Sequence, residues 1–132
     1  MITNNVRPSP IAGTWYSANP SQLRQTLDAY IKEAKLPDLP GEVLALVAPH
    51  AGYRYSGPVA GYAYKAVQGK KFDVVAVLSP MHQYYPQPLL TSAHRAYRTP
   101  LGEITLAKNK LEEINAALKE KTGLNLTPIA ND

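Results

Sequence analysis

His50 and His82 occupy matching places in the chain. Each follows an apolar run that stops at a proline: LALVAP leads straight into His50, and VVAVLSP reaches His82 through Met81. Imidazole is the commonest neutral metal ligand and also an acid or base near neutral pH. Two imidazoles delivered side by side could hold a divalent metal, or pair one base with one electrophile. The metal reading is incomplete within the chain, because a catalytic metal ordinarily takes three protein ligands. Glu42, Asp73 and Glu103 fall at the opening ends of their runs, on the edge opposite the histidines. His94, in SAHRAYRTP, reads as a structural or exposed residue of a surface segment. The plainer alternative is that both histidines are ordinary loop residues following strands.

Glycine and tyrosine crowd the stretch after His50. Gly52 and Gly57 flank Tyr53, Arg54, Tyr55 and Ser56. Glycine allows close backbone approach, and the start of a following helix offers unpaired N–H groups. A carboxylate or phosphate could sit there beside Arg54. The competing reading is a simple helix cap by Ser56. The loop is too short for a nucleotide-binding P-loop and lacks its lysine. Tyr53, Tyr55, Tyr62, Tyr64, Tyr84 and Tyr85 follow the two histidine stretches, and tyrosine suits a pocket wall. Tyr62 and Tyr64, on a helix, read as packing residues. Trp15 and Tyr16, in AGTWYS, either pack or line the same pocket. No GxSxG elbow accompanies Ser56 or Ser79, which argues against a serine hydrolase.

The elements that must carry these residues are legible as periodicities. Asn19-Pro20-Ser21-Gln22 is a helix start, and Leu23, Leu27, Ile31 and Ala34 form one face, predicting a helix over 20–35. Leu36–Gly41 is a turn. Glu42–Ala48 and Asp73–Ser79 read as strands buried on both faces. Between them Ser56-Gly57-Pro58 opens a helix over 58–68, ended near Gly69. Strand, helix and strand in that order predict a βαβ unit with a parallel pair. Both histidines would then emerge at the carboxyl edge, where open α/β folds place ligands. Leu89–Ser92 and Glu103–Ala107 are shorter candidate strands. Asn109–Thr122 is a helix with Leu111, Ile114 and Leu118 inward and Gly123 at its end, and Leu124–Pro128 is extended. The fold class is α/β, a parallel or mixed central sheet flanked by helices, with residues 1–132 as one domain.

Bulk properties set the outer limits. With 132 residues, 45% apolar and 18% charged, the chain suits one globular domain. Its net charge of +4 comes from dispersed lysines and arginines, which argues against a nucleic-acid partner. There is no cysteine, hence no disulfide or thiolate metal site within these residues. No apolar segment has the length of a membrane span, and MITNNVRPSP lacks the layout of a signal peptide. A cytoplasmic protein without membrane contact is the expectation.

Four stretches in order, AGTWYSANPSQL, APHAGYRYSGPVAGYAYKAV, VLSPMHQYY and YRTPLGEITL, resemble the Memo family, whose bacterial and archaeal members are called AmmeMemoRadiSam system protein B. The resemblance runs from about Ile11 to the end and is strongest in PHAGY followed by YSG. It implies a fold similar to class III extradiol dioxygenases, which use non-haem iron. It also implies His50 and His82 as metal ligands in a pocket for iron or copper. The residues themselves put Trp15, Tyr53, Arg54, Ser56 and Gln83 forward as the ligand pocket around them. A further histidine and a cysteine ligand belong to the C-terminal half of family members, so this chain is expected to hold only the N-terminal half of the site. Where the family usually has two consecutive histidines this chain has His82-Gln83, and Met81 adds bulk beside them. The activity implied is a metal-dependent oxidoreductase. The alternatives are a binding module for an anionic or phosphotyrosine-type ligand, and an inactive truncated piece. Implied partners are a small-molecule or peptide ligand and, by family association, radical SAM and AMMECR1-like proteins. Strands left without neighbours would favour a homo-oligomer.

Overall fold

In the computed structural model, which describes residues 5–130, helix α1 (Pro20–Glu33) begins where its capping signal places it. Asn19 is extended, and its side chain accepts the Gln22 amide at 3.0 Å. Pro20 loses nothing at the first position, where its N–H would have had no partner. The apolar face turns inward: Leu23 and Ala34 are buried, and Leu27 and Ile31 half-buried. The helix closes with the Ala34 N–H donating to the Tyr30 carbonyl at 3.2 Å.

Helix α2 (Tyr53–Lys65) starts a turn and a half before the expected Pro58, which lies inside it. The Tyr53 amide donates to the Trp15 carbonyl at 2.9 Å, so a residue from the preceding loop satisfies the new helix end. Pro58 removes one interior hydrogen bond in exchange. Ser56 is not the cap. It is buried, and its hydroxyl donates to the Ala51 carbonyl at 2.9 Å.

The two helices pack through glycine. A methyl group on Gly57 would overlap the Tyr30 ring, and one on Gly61 would stand 2.7 Å from the Tyr30 carbonyl oxygen. Glycines four residues apart share one helix face, and here that face lets α2 approach the backbone of α1.

The strands are short. β1 (Val6–Arg7) and β3 (Ala96–Thr99) lie outside every expected strand. β2 (Leu90–Ser92) and β4 (Gly102–Thr105) fall within two residues of the expected Leu89–Ser92 and Glu103–Ala107, and β5 (Thr127–Ile129) overlaps the extended 124–128. One sheet has the order β1-β3-β4, with β1 parallel to β3 and Val6 opposite Ala96. Pro100 and Leu101 alone separate β3 from β4, so that pair is an antiparallel hairpin and the sheet is mixed. The other sheet pairs β2 with β5 in parallel, Leu90 opposite Thr127 and Ser92 opposite Ile129. Helix α3 (Lys108–Thr122) lies in the crossover that a parallel pair requires. It ends at Gly123, whose φ of 73° is the left-handed cap. The Asn115 side chain accepts the Leu126 amide at 2.7 Å and ties the return segment to the helix. Val6 and Ala96 form the buried centre of this part, with Ser92 beside them in burial.

The two long apolar runs behave differently from expectation. Among the described residues neither 42–48 nor 73–79 forms a strand, and the parallel pair between them is not made. Their side chains face water: Leu44 is 90% exposed, Val47 98%, Val77 83% and Leu78 97%. A strand exists only through a ladder partner. An apolar run records what a segment would bury, and nothing in it names the partner.

The described residues divide into two compact units. One holds those up to Pro8, Asp73–Arg98 and those from Glu103 onward; the other holds Ser9–Phe72 and Thr99–Gly102. The two runs fall in different units. The α/β class stands, with parallel and mixed sheets and three helices; of the four expected strands the two short ones form and the two long ones do not. Among the described residues no helix is long and apolar enough to cross a membrane.

Candidate functional site

Within the unit of Ser9–Phe72, a cleft of about 290 Å³ opens at the start of α2. Trp15, Tyr16, Tyr30, Tyr53 and Tyr64 line it together with His50. Backbone bonds fix the loop that brings Trp15 and Tyr16. The Gly13 amide donates to the Tyr16 carbonyl at 2.7 Å and the Trp15 amide to Ile11 at 3.0 Å. The bond from Tyr53 to the Trp15 carbonyl then pins this loop to α2.

Three of the phenol side chains are engaged within the protein. The Tyr16 and Tyr53 rings lie 5.1 Å apart, tilted by 35°. That separation falls in the favourable range for aromatic pairs. The Tyr16 hydroxyl pairs with the Ser9 hydroxyl, and the Tyr30 hydroxyl donates to the Tyr53 carbonyl at 3.2 Å. Trp15 and Tyr64 stay about half exposed, at 48% and 55%, so the cleft is reachable from water.

Burial holds the Tyr53 phenol above its usual pKa of 10.0, and the neighbouring Tyr16 and Tyr64 phenols add to the rise. The folded state therefore keeps this proton longer than the unfolded chain does. The associated stability is fully present below pH 10.0 and is lost as pH rises through the raised value. Urea denaturation on the alkaline side of pH 10 should show a shallower loss of stability in Tyr53→Phe than in the parent chain. Parallel curves for the two would contradict the assignment.

A sequence profile of the Memo-like protein family matches residues 7–130. The chain belongs to the Memo family. It is 36% identical to a MEMO1 family protein of Pyrobaculum aerophilum, over 87% of this chain and 43% of that protein. With Protein MEMO1 of Xenopus laevis it shares 39% identity over 74% of this chain and 32% of the other. A MEMO1 family protein of Methanopyrus kandleri is 33% identical over 96% of this chain and 47% of its own length. The chain thus spans between about a third and a half of the length of these relatives.

In this Memo-family chain the expected site residues are only partly assembled. His50, Trp15, Tyr53 and Ser56 all line the cleft. Arg54 is exposed and does not line it. The seat for an anion at the start of α2 is largely taken up by the protein itself. Tyr53 donates to Trp15, and the Tyr55 and Ser56 amides donate to the Gly52 carbonyl at 2.8 and 3.2 Å. His82 and Gln83 are exposed and belong to the other unit. No three His, Cys, Asp or Glu side chains gather in a metal-holding group among the described residues. The His94 amide donates to the Ser92 hydroxyl at 3.2 Å, and its Nδ1 pairs with the same hydroxyl at 3.2 Å.

Tyr64, read from the sequence as packing, lines the cleft, and so do Tyr16 and Tyr30. Tyr53, Gly57, Ala60, Gly61 and Tyr64 all border it at helical spacing. That face is visible in the sequence only if the helix is started at Tyr53. A start at Pro58 leaves Tyr53 in a loop and hides its alignment with Tyr64.

Proposed function

We propose that this Memo-family chain forms the aromatic wall of a ligand pocket and recognises a small molecule or peptide side chain with an apolar body. The observation that carries the reading is the gathering of five aromatic side chains and His50 on one cleft inside a single unit. Such walls bury the flat body of a ligand and offer hydroxyls to its polar end. The anionic and phosphotyrosine-type alternative is less well supported, since no lysine or arginine lines the cleft among the described residues. Trp15 is the single tryptophan of the sequence and lines the cleft, so its emission reports on occupancy. Titration with p-cresol should change that emission saturably, and Tyr53→Leu should weaken the response. An emission unchanged up to saturation by p-cresol and by every other compact ligand tried would sink the proposal.

His50 on the cleft lining supports a second reading. It takes His50 and His82 as two neutral donors to an iron or copper ion in an oxidoreductase with a class III extradiol dioxygenase-like fold. The remaining donors would come from parts of the longer family domain outside these residues. Bound metal would supply redox and Lewis-acid chemistry. The imidazoles fit such an ion in kind, but the described residues do not complete its coordination. Equilibrium dialysis of the 132-residue chain against Fe(II) or Cu(II) should therefore give weak binding. Tight one-to-one retention would contradict this division of ligands.

On either reading the chain is a portion of one Memo-type domain in a cytoplasmic setting. Radical SAM and AMMECR1-like proteins are its partners by family association, and self-association is proposed through its exposed apolar runs.

A further inference from the structure

Five aromatic rings line the cleft, while no lysine, arginine, aspartate or glutamate does so among the described residues. The face of an aromatic ring carries the negative lobe of its quadrupole, and attracts a cation brought close to it. Among the described residues no lysine or arginine stands with the clustered rings to oppose that attraction, His50 being the basic group in the lining. A simple ammonium group would have to satisfy three N–H bonds from the phenol hydroxyls of a largely apolar lining. A quaternary nitrogen has no N–H to satisfy, and its methyl groups match an apolar wall. The cleft, at about 290 Å³, is at the small end for a ligand site, which suits a compact head group.

We propose that the cleft binds a quaternary or fully methylated ammonium group among the rings of Trp15, Tyr16, Tyr53 and Tyr64. The proposal rests on the reading of the cleft as a ligand pocket and names the ligand class. Tyr30, whose ring packs against Gly57, also lines the cleft, and its hydroxyl is already engaged with the Tyr53 carbonyl. An anion would meet no cationic lysine or arginine in this lining. A neutral body of the same shape would gain burial without the charge–quadrupole attraction.

The test compares choline with 3,3-dimethylbutan-1-ol, which replaces the charged nitrogen by carbon and keeps the shape. Trp15 emission is the readout, and p-cresol serves as a third ligand. Choline should bind about tenfold tighter than the alcohol. Tyr53→Phe, which keeps a ring, should retain most of that preference, and Tyr53→Leu should lose it. Tyr64→Leu, at a half-exposed position, repeats the comparison where Tyr53→Leu fails to fold. Equal affinities for choline and the alcohol would overturn the ammonium assignment while leaving the pocket reading intact. So would binding of p-cresol alone. No response to any of the three would overturn both, and a choline preference indifferent to the loss of either ring would overturn the placement.

Discussion

Gly61→Ala is expected to destabilise the chain by roughly 2–3 kcal/mol, as overpacking of a close contact does. Helix propensity by itself predicts the opposite sign, a gain of about 1 kcal/mol when glycine in a helix becomes alanine. Sterics decide the outcome. The new Cβ would stand 2.7 Å from the Tyr30 carbonyl oxygen and 3.0 Å from its carbonyl carbon. Those are backbone atoms of α1, and the same carbonyl accepts the Ala34 N–H that closes the helix. A flexible side chain could swing aside, but this backbone cannot, so the helices must separate. Separation loosens the Tyr30 side of the cleft as well. Gly57→Ala should cost less, because it meets the Tyr30 ring, which can rotate by giving up its bond to the Tyr53 carbonyl. Urea denaturation measures both. A Gly61→Ala chain as stable as the parent, or more so, would show that the close approach of α1 and α2 is wrong.

Replacing Val47 and Leu78 together by lysine should change self-association strongly and stability hardly at all. Both side chains are almost fully exposed, at 98% and 97%, so neither loses packing when substituted. Exposed substitutions of this kind stay within about 0.5 kcal/mol. Each run, taken by itself within its own unit, exposes apolar side chains of the kind that drive association. Light scattering over a concentration series should therefore show the parent chain associating and the double variant remaining smaller at equal concentration. Had 42–48 and 73–79 been strands buried on both faces, each lysine would place a charge in an apolar interior and the fold would fail. Unfolding of the double variant would thus restore the buried-strand expectation. A parent chain that stays monomeric throughout would contradict association through these runs.

The contrast between α1 and α2 shows which features of the fold can be read locally. The start of α1 depends on Asn19, Pro20 and Gln22, all within one turn, and its buried stripe repeats along the helix itself. The start of α2 depends on the Trp15 carbonyl, which belongs to a distant loop. Strand β1 has only Val6 and Arg7, too short for any alternation to show, and exists because Ala96 and Tyr97 lie opposite. By contrast α3 and its Gly123 cap follow from nearby residues and appear almost where expected.

Residue type alone drew attention to His50, Trp15, Tyr53 and Ser56, and the ordered motifs around them identified the Memo family. Periodicity and capping likewise determined α1, and the Gly123 cap the end of α3, because the bonds involved span a turn or two of chain. Ile114, expected inward on α3, is instead 51% exposed. Tertiary structure alone decided that Tyr16, Tyr30 and Tyr64 join the cleft, and that Arg54 stays outside it. It also decided that the strongest strand patterns remain without a ladder while shorter segments pair. Apolarity and side-chain spacing are properties of the segment that carries them. A ladder partner, or a place on a cleft wall, belongs to two segments at once.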